Sequence, residues 1–326
     1  MPYFNPAKFF ESQLRRLENI TFSPSSDRND RLSQRATCPG NPQSYILKVG
    51  SQNPVARNFS RHIHSFRREC GAYGLLPPLA GKVVPKCLSS FSTPDGADGF
   101  LWLQEITPAR SGDQIAGLSW KELAATTQSI GMVHAHLWQN VQQTDLPLHH
   151  YNRAHEIKSH FKAFLKEFRP WLSPAERKRV RNIPTTVALA LRRAKERPIT
   201  LVHGDLRADN LLFSKGRVFI VDWQIAARGM GSFDLARVIG GSTRRPLNLP
   251  EQQNLVHIWH QTLKQNKVCG YSFEEAWQDY RTGVALTLSI PITNGITLAH
   301  LSPRGKKIAL LMMRRFFRNG REFGLL

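Results

Sequence analysis

The run Ser44-Tyr45-Ile46-Leu47-Lys48-Val49 alternates along the chain with β-branched and aromatic residues and a single lysine, the pattern of a half-buried strand. Phe100-Leu101-Trp102-Leu103-Gln104-Glu105-Ile106 and Ile199-Thr200-Leu201-Val202 are further apolar runs that predict strands. Leu211-Leu212-Phe213 and Val218-Phe219-Ile220-Val221 are joined by Ser214-Lys215-Gly216-Arg217, which predicts a β-hairpin with a glycine in its turn. Elsewhere the pattern is helical. Ser119-Trp120-Lys121-Glu122 is a capping box, followed by Leu123, Thr127, Ile130, His134 and Leu137 on one helical face. Ser173-Pro174-Ala175-Glu176 is a second capping box with proline at the first helical position. A helix is expected to open after Ser232, and a C-terminal helix to end at Asn319-Gly320 as its C-cap. Ser111-Gly112-Asp113 and Gly117 predict a flexible connection.

The polar residues at these strand ends form a constellation. His203-Gly204-Asp205 follows one strand, Asn210 lies five positions after Asp205, and Asp222 follows the second strand of the hairpin. Phosphoryl transfer to a hydroxyl needs a carboxylate for the hydroxyl proton and oxygen ligands for Mg²⁺. Asp205 suits the first role, Asn210 and Asp222 the second, and the hairpin is expected to return Asp222 beside Asn210. Arg207, two positions past Asp205, offers fixed positive charge for a transferring phosphate. His203 is expected to orient the loop by hydrogen bonding. His134-Ala135-His136 reads as core structure, because helical metal ligands favour one face.

His203-Gly204-Asp205 with Arg207, Asp209 and Asn210, then Val221-Asp222-Trp223-Gln224, then Gly229, Gly231 and Asp234-Leu235-Ala236, resemble the aminoglycoside phosphotransferase and choline kinase superfamily. The nearest resemblance is to its ecdysteroid-kinase-like (CHK-like) branch. It implies an α+β, two-lobe protein-kinase-like fold: residues 1–105 as a small, mostly β N-lobe that binds ATP, and 106–326 as a larger, mostly helical C-lobe. It further implies an ATP- and Mg²⁺-dependent small-molecule kinase with Asp205 as base and Asn210 and Asp222 as metal ligands. Asp234 is either a helix-start carboxylate or a buttress of the catalytic loop. A protein kinase is disfavoured: His-Gly-Asp stands for His-Arg-Asp, Asp-Trp-Gln for Asp-Phe-Gly, and no Ala-Pro-Glu follows.

For the nucleotide, Lys48 is placed to reach the α/β-phosphates. Phe66-Arg67-Arg68-Glu69-Cys70-Gly71-Ala72-Tyr73 resembles the family's Arg-Glu-x-x-x-Tyr segment, which makes Glu69 the partner of Lys48. The backbone around Glu105 and Ile106 corresponds to the hinge that would meet the adenine. One feature departs from the pattern. Residues 21–37 contain no glycine, so the phosphate loop is expected at Ser23-Pro24-Ser25-Ser26-Asp27-Arg28-Asn29, with Ser25 and Ser26 offering hydroxyls in place of bare backbone.

Length and composition suit this layout. The 326 residues are 41% hydrophobic, long for one domain and enough for two lobes sharing a cleft. Cys38, Cys70, Cys87 and Cys269 are scattered without a Cys-x-x-Cys, which argues against a zinc site or disulfide framework and for a reducing cytoplasm. No run is long and apolar enough to span a membrane, and Lys8, Glu11, Arg15, Arg16 and Glu18 speak against a signal peptide. The formal net charge of +21 fits least well. Thirteen Lys/Arg face four Glu between Tyr151 and Thr200, and Arg304, Lys306, Lys307, Arg314, Arg315 and Arg318 follow near the end. A solvated basic surface, nucleic acid, an anionic membrane face or an acidic substrate all accommodate that charge. The competing function is a kinase-like fold kept as a nucleic-acid or anion-binding module. Against it stand the intact Asp205, Asn210 and Asp222, and basic stretches without interleaved aromatics. A small-molecule hydroxyl substrate is the expected partner, and the resemblance implies a pocket built from helices around 140–195 and 250–326. Trp138, Trp171, Trp259, Trp277 and Tyr280 fall there as pocket or core residues.

Overall fold

The computed structural model describes residues 21–24, 33–37, 43–51, 53–151 and 154–326. The chain forms two units, Met1–Ala109 with Val221–Ala226, and Arg110–Ile220 with Ala227–Leu326. The first is built on a five-stranded antiparallel sheet in the order β1-β2-β3-β5-β4: β1 Thr21–Pro24, β2 Ser33–Thr37, β3 Ser44–Val49, β4 Cys87–Ser92 and β5 Gly99–Gln104. Strand alternation sorts the side chains of β3. Leu47 joins Phe100 and Trp102 in a core cluster, with Tyr45, Val49 and Phe91 against it, so Lys48 points to the opposite face. Helices α1 (Pro54–Ile63) and α2 (Ser65–Leu75) follow, separated by His64 in the left-handed region at φ 52°. α2 packs on β4 and β5 and buries Phe66, Glu69, Ala72 and Tyr73.

In the second unit, Ser119 caps α3 (Trp120–His136) through the reciprocal bonds the sequence predicts: Glu122 N–H donates to Ser119 Oγ, and Ser119 N–H to Glu122 Oε2 at 2.8 Å. Leu123, Thr127, Ile130, His134 and Leu137 are buried along one face. The helix packs on α8 (Leu249–Gln265), where Gly131 lies close against Thr262 and Trp259. Ser173 opens α5 (Pro174–Arg179) in the same way. Around it lie α4 (Ile157–Phe168), α6 (Ile183–Ala194), α7 (Ser232–Gly241), α9 (Phe273–Thr287), the short α10 (Ile290–Thr293) and α11 (Gly295–Leu301), and α12 (Pro303–Glu322). Their shared core includes Phe164, Phe168, Val187, Phe233, Leu286 and Phe317. Trp259 and Tyr280 are fully buried core residues, whereas Trp171 is exposed.

The remaining strands carry the loop of interest. β7 (Thr200–Val202) pairs with β10 (Ala227–Gly229), and β6 (Arg110–Ser111), β8 (Leu211–Ser214) and β9 (Arg217–Ile220) form a three-stranded sheet. The predicted hairpin is present with a two-residue turn, Lys215-Gly216 at φ 48° and 77°, positive at both positions as a type I′ turn requires. Two expectations are corrected. The 111–117 segment is pinned instead of loose: Ser111 is in β6, Gly112 N–H donates to Leu211 O at 2.9 Å, and a Cβ on Gly112 would run into the Ala208 carbonyl. The C-terminal helix runs through Asn319-Gly320 to Glu322. Gly320 sits inside it because Leu288 and Leu326 pack where a side chain would be, and the left-handed residue that follows is Gly324 at φ 63°. Among the described residues, no helix is long and apolar enough to cross a membrane, and Cys70, Cys87 and Cys269 are free thiols.

Candidate active site

In the first unit, β3 aims Lys48 at two carboxylates. Its Nζ lies 2.6 and 2.8 Å from the oxygens of Glu69 on α2, and 2.8 Å from Asp222 Oδ1. The three side chains are 11%, 1% and 15% exposed, so the ammonium and two anions share a site mostly shielded from water. Asp222 is held at φ 67°, a region few non-glycine residues occupy and which Asp tolerates better than most. Gln224 Nε2 donates to Asp222 Oδ2 at 3.1 Å, and Trp223 between them is fully buried and anchors the turn. The Asp-Trp-Gln step is thus one positioning unit for a carboxylate.

Ser25 and Ser26 lie outside the described residues, and Ser23 and Pro24, assigned to the same loop by sequence, are in β1. Glu105 carries on from β5: its N–H donates to Ser44 O at 2.9 Å, its carbonyl accepts from Gln43 Nε2 at 3.3 Å, and its Oε1 takes the Arg35 Nε–H at 2.9 Å. No hydrogen bond with a described residue engages the Ile106 backbone.

In the second unit, the segment after β7 is organised by a residue from α7. Gly204 turns at φ 80°, which glycine alone adopts without cost. Asp234, in the first turn of α7 and fully buried, accepts the N–H of His203 at 2.7 Å and of Gly204 at 3.0 Å. It is therefore a buttress of the loop, beyond a helix-start charge. His134 holds the other side: Trp259 Nε1–H donates to its Nδ1 at 3.0 Å, so the ring proton sits on Nε2, 3.3 Å from Asp234 Oδ2. Burial opposes the charge on Asp234, but His134 and the His203 N–H outweigh it and hold the carboxyl below its ordinary range. His203, also fully buried, accepts the Asp205 N–H on Nδ1 at 3.2 Å, an orienting role.

Asp205 then projects between two guanidinium groups. Arg237 on α7 reaches Oδ1 with Nε at 2.9 Å and also with a terminal nitrogen, and Arg207 Nε lies 3.2 Å from Oδ2. Burial pushes the Asp205 pKa up, and the nearby positive charges of Arg237 and Arg207 more than reverse it, so the carboxyl ionises below its usual range. Arg207 is also bound to Asp209 at 2.6 Å, which in turn accepts the Gln114 N–H at 2.8 Å. Asn210 ends a short 3-10 turn, 2% exposed, and its Nδ2 donates to the Asp205 carbonyl at 2.9 Å. With Nδ2 committed, Oδ1 is the atom left for a cation.

Sequence reasoning missed three contributors. Arg237 was legible in principle, since an arginine inside the apolar, wholly buried α7 demands an anionic partner. The His134 to Asp234 contact joins residues 100 positions apart, and no local pattern marks it. Gln114 bridges the loop to α7: its Oε1 accepts the Ala208 N–H at 3.0 Å and its Nε2 donates to Gly241 O at 2.7 Å.

The sequence matches the model of the phosphotransferase enzyme family over residues 25–264. No curated protein matches it. Among solved structures, it resembles an ethanolamine kinase from Plasmodium vivax at 10% identity and a TM-score of 0.61, covering 97% of this chain and 89% of that one. It also resembles the choline kinase LicA from Streptococcus pneumoniae at 15% identity and a TM-score of 0.55, covering 98% and 99%. A third likeness is to the amicoumacin kinase hAmiN, solved with AMP-PNP, Ca²⁺ and its antibiotic, at 16% identity and a TM-score of 0.54, covering 98% and 93%. At such identities the likeness establishes the fold, a protein-kinase-like phosphotransferase fold.

Proposed function

The chain belongs to the phosphotransferase enzyme family, and from that premise we propose that it is an ATP- and Mg²⁺-dependent small-molecule kinase acting on a hydroxyl group. The observation that carries the reading is Asp205, a carboxylate kept ionised by Arg237 and Arg207 on a loop fixed by Asp234. In the transfer, the acceptor oxygen bonds to the γ-phosphorus, the bond to the bridging oxygen of ADP breaks, and the hydroxyl proton passes to Asp205. A carboxylate with a lowered pKa is a weak base. Its main part is therefore to orient the hydroxyl and to take the proton late, as a loose phosphoryl transition state allows.

Lys48, steered by Glu69, would bind the α/β-phosphates, and Arg207 would face charge on the transferring group. Asn210 Oδ1 and the Asp222 carboxylate are hard oxygen donors suited to Mg²⁺, which takes one or two protein oxygens with phosphates and waters. Bound there, Mg²⁺ would neutralise charge on the phosphates. The adenine would meet the backbone at Ile106 more than at Glu105, whose own groups are engaged; Ser25 and Ser26 would add hydroxyls to the phosphates. Residues 1–105 would thus hold nucleotide and 106–326 carry catalysis and the acceptor, and the motifs favour the ecdysteroid-kinase-like branch. The test is Asp205→Asn: MgATP binding should persist within a few-fold while phosphoryl transfer to a hydroxyl acceptor falls to background. Parent-like turnover in that variant would refute the assignment.

A further inference from the structure

The second unit contains a cavity of about 240 Å³ whose lining includes no residue of the 203–210 loop. One wall is α12, where Leu311, Arg314, Arg315, Arg318, Asn319 and Glu322 recur at helical spacing on a single face. The other is the segment after α7, which brings Thr243, Arg244 and Arg245. Five guanidinium groups therefore converge from two elements against one lining carboxylate, Glu322.

Their partners differ. Arg245 is paired with Glu251, and Arg315 is spent on the carbonyls of Gln114 at 2.7 Å, Gly241 at 3.0 Å and Ile115 at 3.2 Å. Arg244, Arg314 and Arg318 are exposed, and their guanidinium groups make no hydrogen bond or ion pair with any described residue. Asn319 is only 6% exposed, with its Nδ2 lying toward the Tyr280 hydroxyl. Arg314 and Arg318 are also one turn apart, a like-charge spacing that disfavours the helix. An ordinary solvated face would not draw unpaired arginines from two elements around a concave site.

We propose that this cavity binds a small, multiply charged phosphate compound of the di- or triphosphate class, separately from the nucleotide site. Guanidinium forks match phosphate oxygens in bidentate geometry. A single-stranded nucleic acid fits less well, because no aromatic side chain lines the cavity to stack a base.

The test is calorimetric titration of the whole protein with inorganic triphosphate, at a constant ionic strength of about 0.15 M where exposed charges are screened beyond roughly 8 Å. The proposal expects one triphosphate per chain that survives in Lys48→Met/Glu69→Gln. It also expects at least tenfold weaker binding in Arg244→Ala/Arg318→Ala, with MgATP-dependent turnover unchanged. Arg315 is spared because its contacts hold the backbone. Charge-conserving Arg244→Lys/Arg318→Lys should recover part of the affinity, which separates a binding defect from misfolding. Unchanged binding in the alanine variant, or loss in the Lys48 variant, would overturn the proposal. So would short mixed-sequence RNA that binds more tightly than triphosphate and is lost with the same arginines, which would give the site to nucleic acid.

Discussion

Replacing Asp234 with Asn removes one charge and one acceptor oxygen from a site with no access to water. In the parent, Oδ2 accepts the His203 N–H at 2.7 Å and lies 3.3 Å from His134 Nε2, while Oδ1 accepts the Gly204 N–H at 3.0 Å. Asparagine keeps an oxygen at one of these places and turns an NH₂ toward the other. With the oxygen at Oδ2, the Gly204 N–H loses its acceptor, a cost of about 1–3 kcal/mol for a buried donor. The two retained bonds fall from a charged to a neutral acceptor, about 1 kcal/mol each. The expected loss is about 3–5 kcal/mol, a large share of a typical total stability of ~5–15 kcal/mol. The sign of the pH dependence follows from the lowered pKa of Asp234. Its charge stabilises the fold fully above the unfolded value of about 3.9, and that contribution is lost as pH falls through the lower folded value. Urea unfolding of parent and variant should therefore show the full gap at about pH 7 and a narrowing gap below about pH 4. A loss under about 1 kcal/mol at neutral pH, or a gap that does not shrink in acid, would refute the buttress argument. Turnover should fall by roughly 10²-fold, since misplacing the loop by about 1 Å is that costly.

Arg237→Gln removes the stronger of the two cations beside Asp205, so the Asp205 pKa should rise and, on the proposed role of Asp205 as base, the acidic limb of the pH–rate profile move to higher pH; an unmoved limb would count against that role. Lys48→Met strands the buried Glu69 carboxylate and should cost about 3–5 kcal/mol, much of it restored by adding Glu69→Gln. Denaturation of the single and double variants checks this, and equal loss in both would count against it. Ser119→Ala removes a reciprocal cap from α3 and should cost about 1 kcal/mol in the same assay while leaving MgATP binding unaltered.

Features held by neighbouring residues were legible in the sequence. The Ser44–Val49 strand, the hairpin and both capping boxes rest on contacts a few positions apart, and each forms where its local pattern puts it. The end of α12 was not legible, because Gly320 is a glycine for a packing reason: Leu288 and Leu326 occupy its side-chain space. Gly112 misled similarly, its freedom used for close approach to Ala208. For the candidate site, the order of Asp205, Asn210 and Asp222 was visible, but the electrostatic setting was not. Arg237 lies 32 positions from Asp205 and His134 100 positions from Asp234, so both partnerships exist only once the chain has folded.

The membership of residues 221–226 in the first unit bears on how the protein is made. Lys48 is synthesised 174 residues ahead of Asp222. At about 5–20 residues per second, the 153 residues from Glu69 to Asp222 take roughly 8–30 s, during which Lys48 is able to meet Glu69 but not its second carboxylate. The ribosome has to pass the hairpin before that ammonium can be neutralised on both sides, so termination between residues 69 and 222 would release a chain with Lys48 half paired.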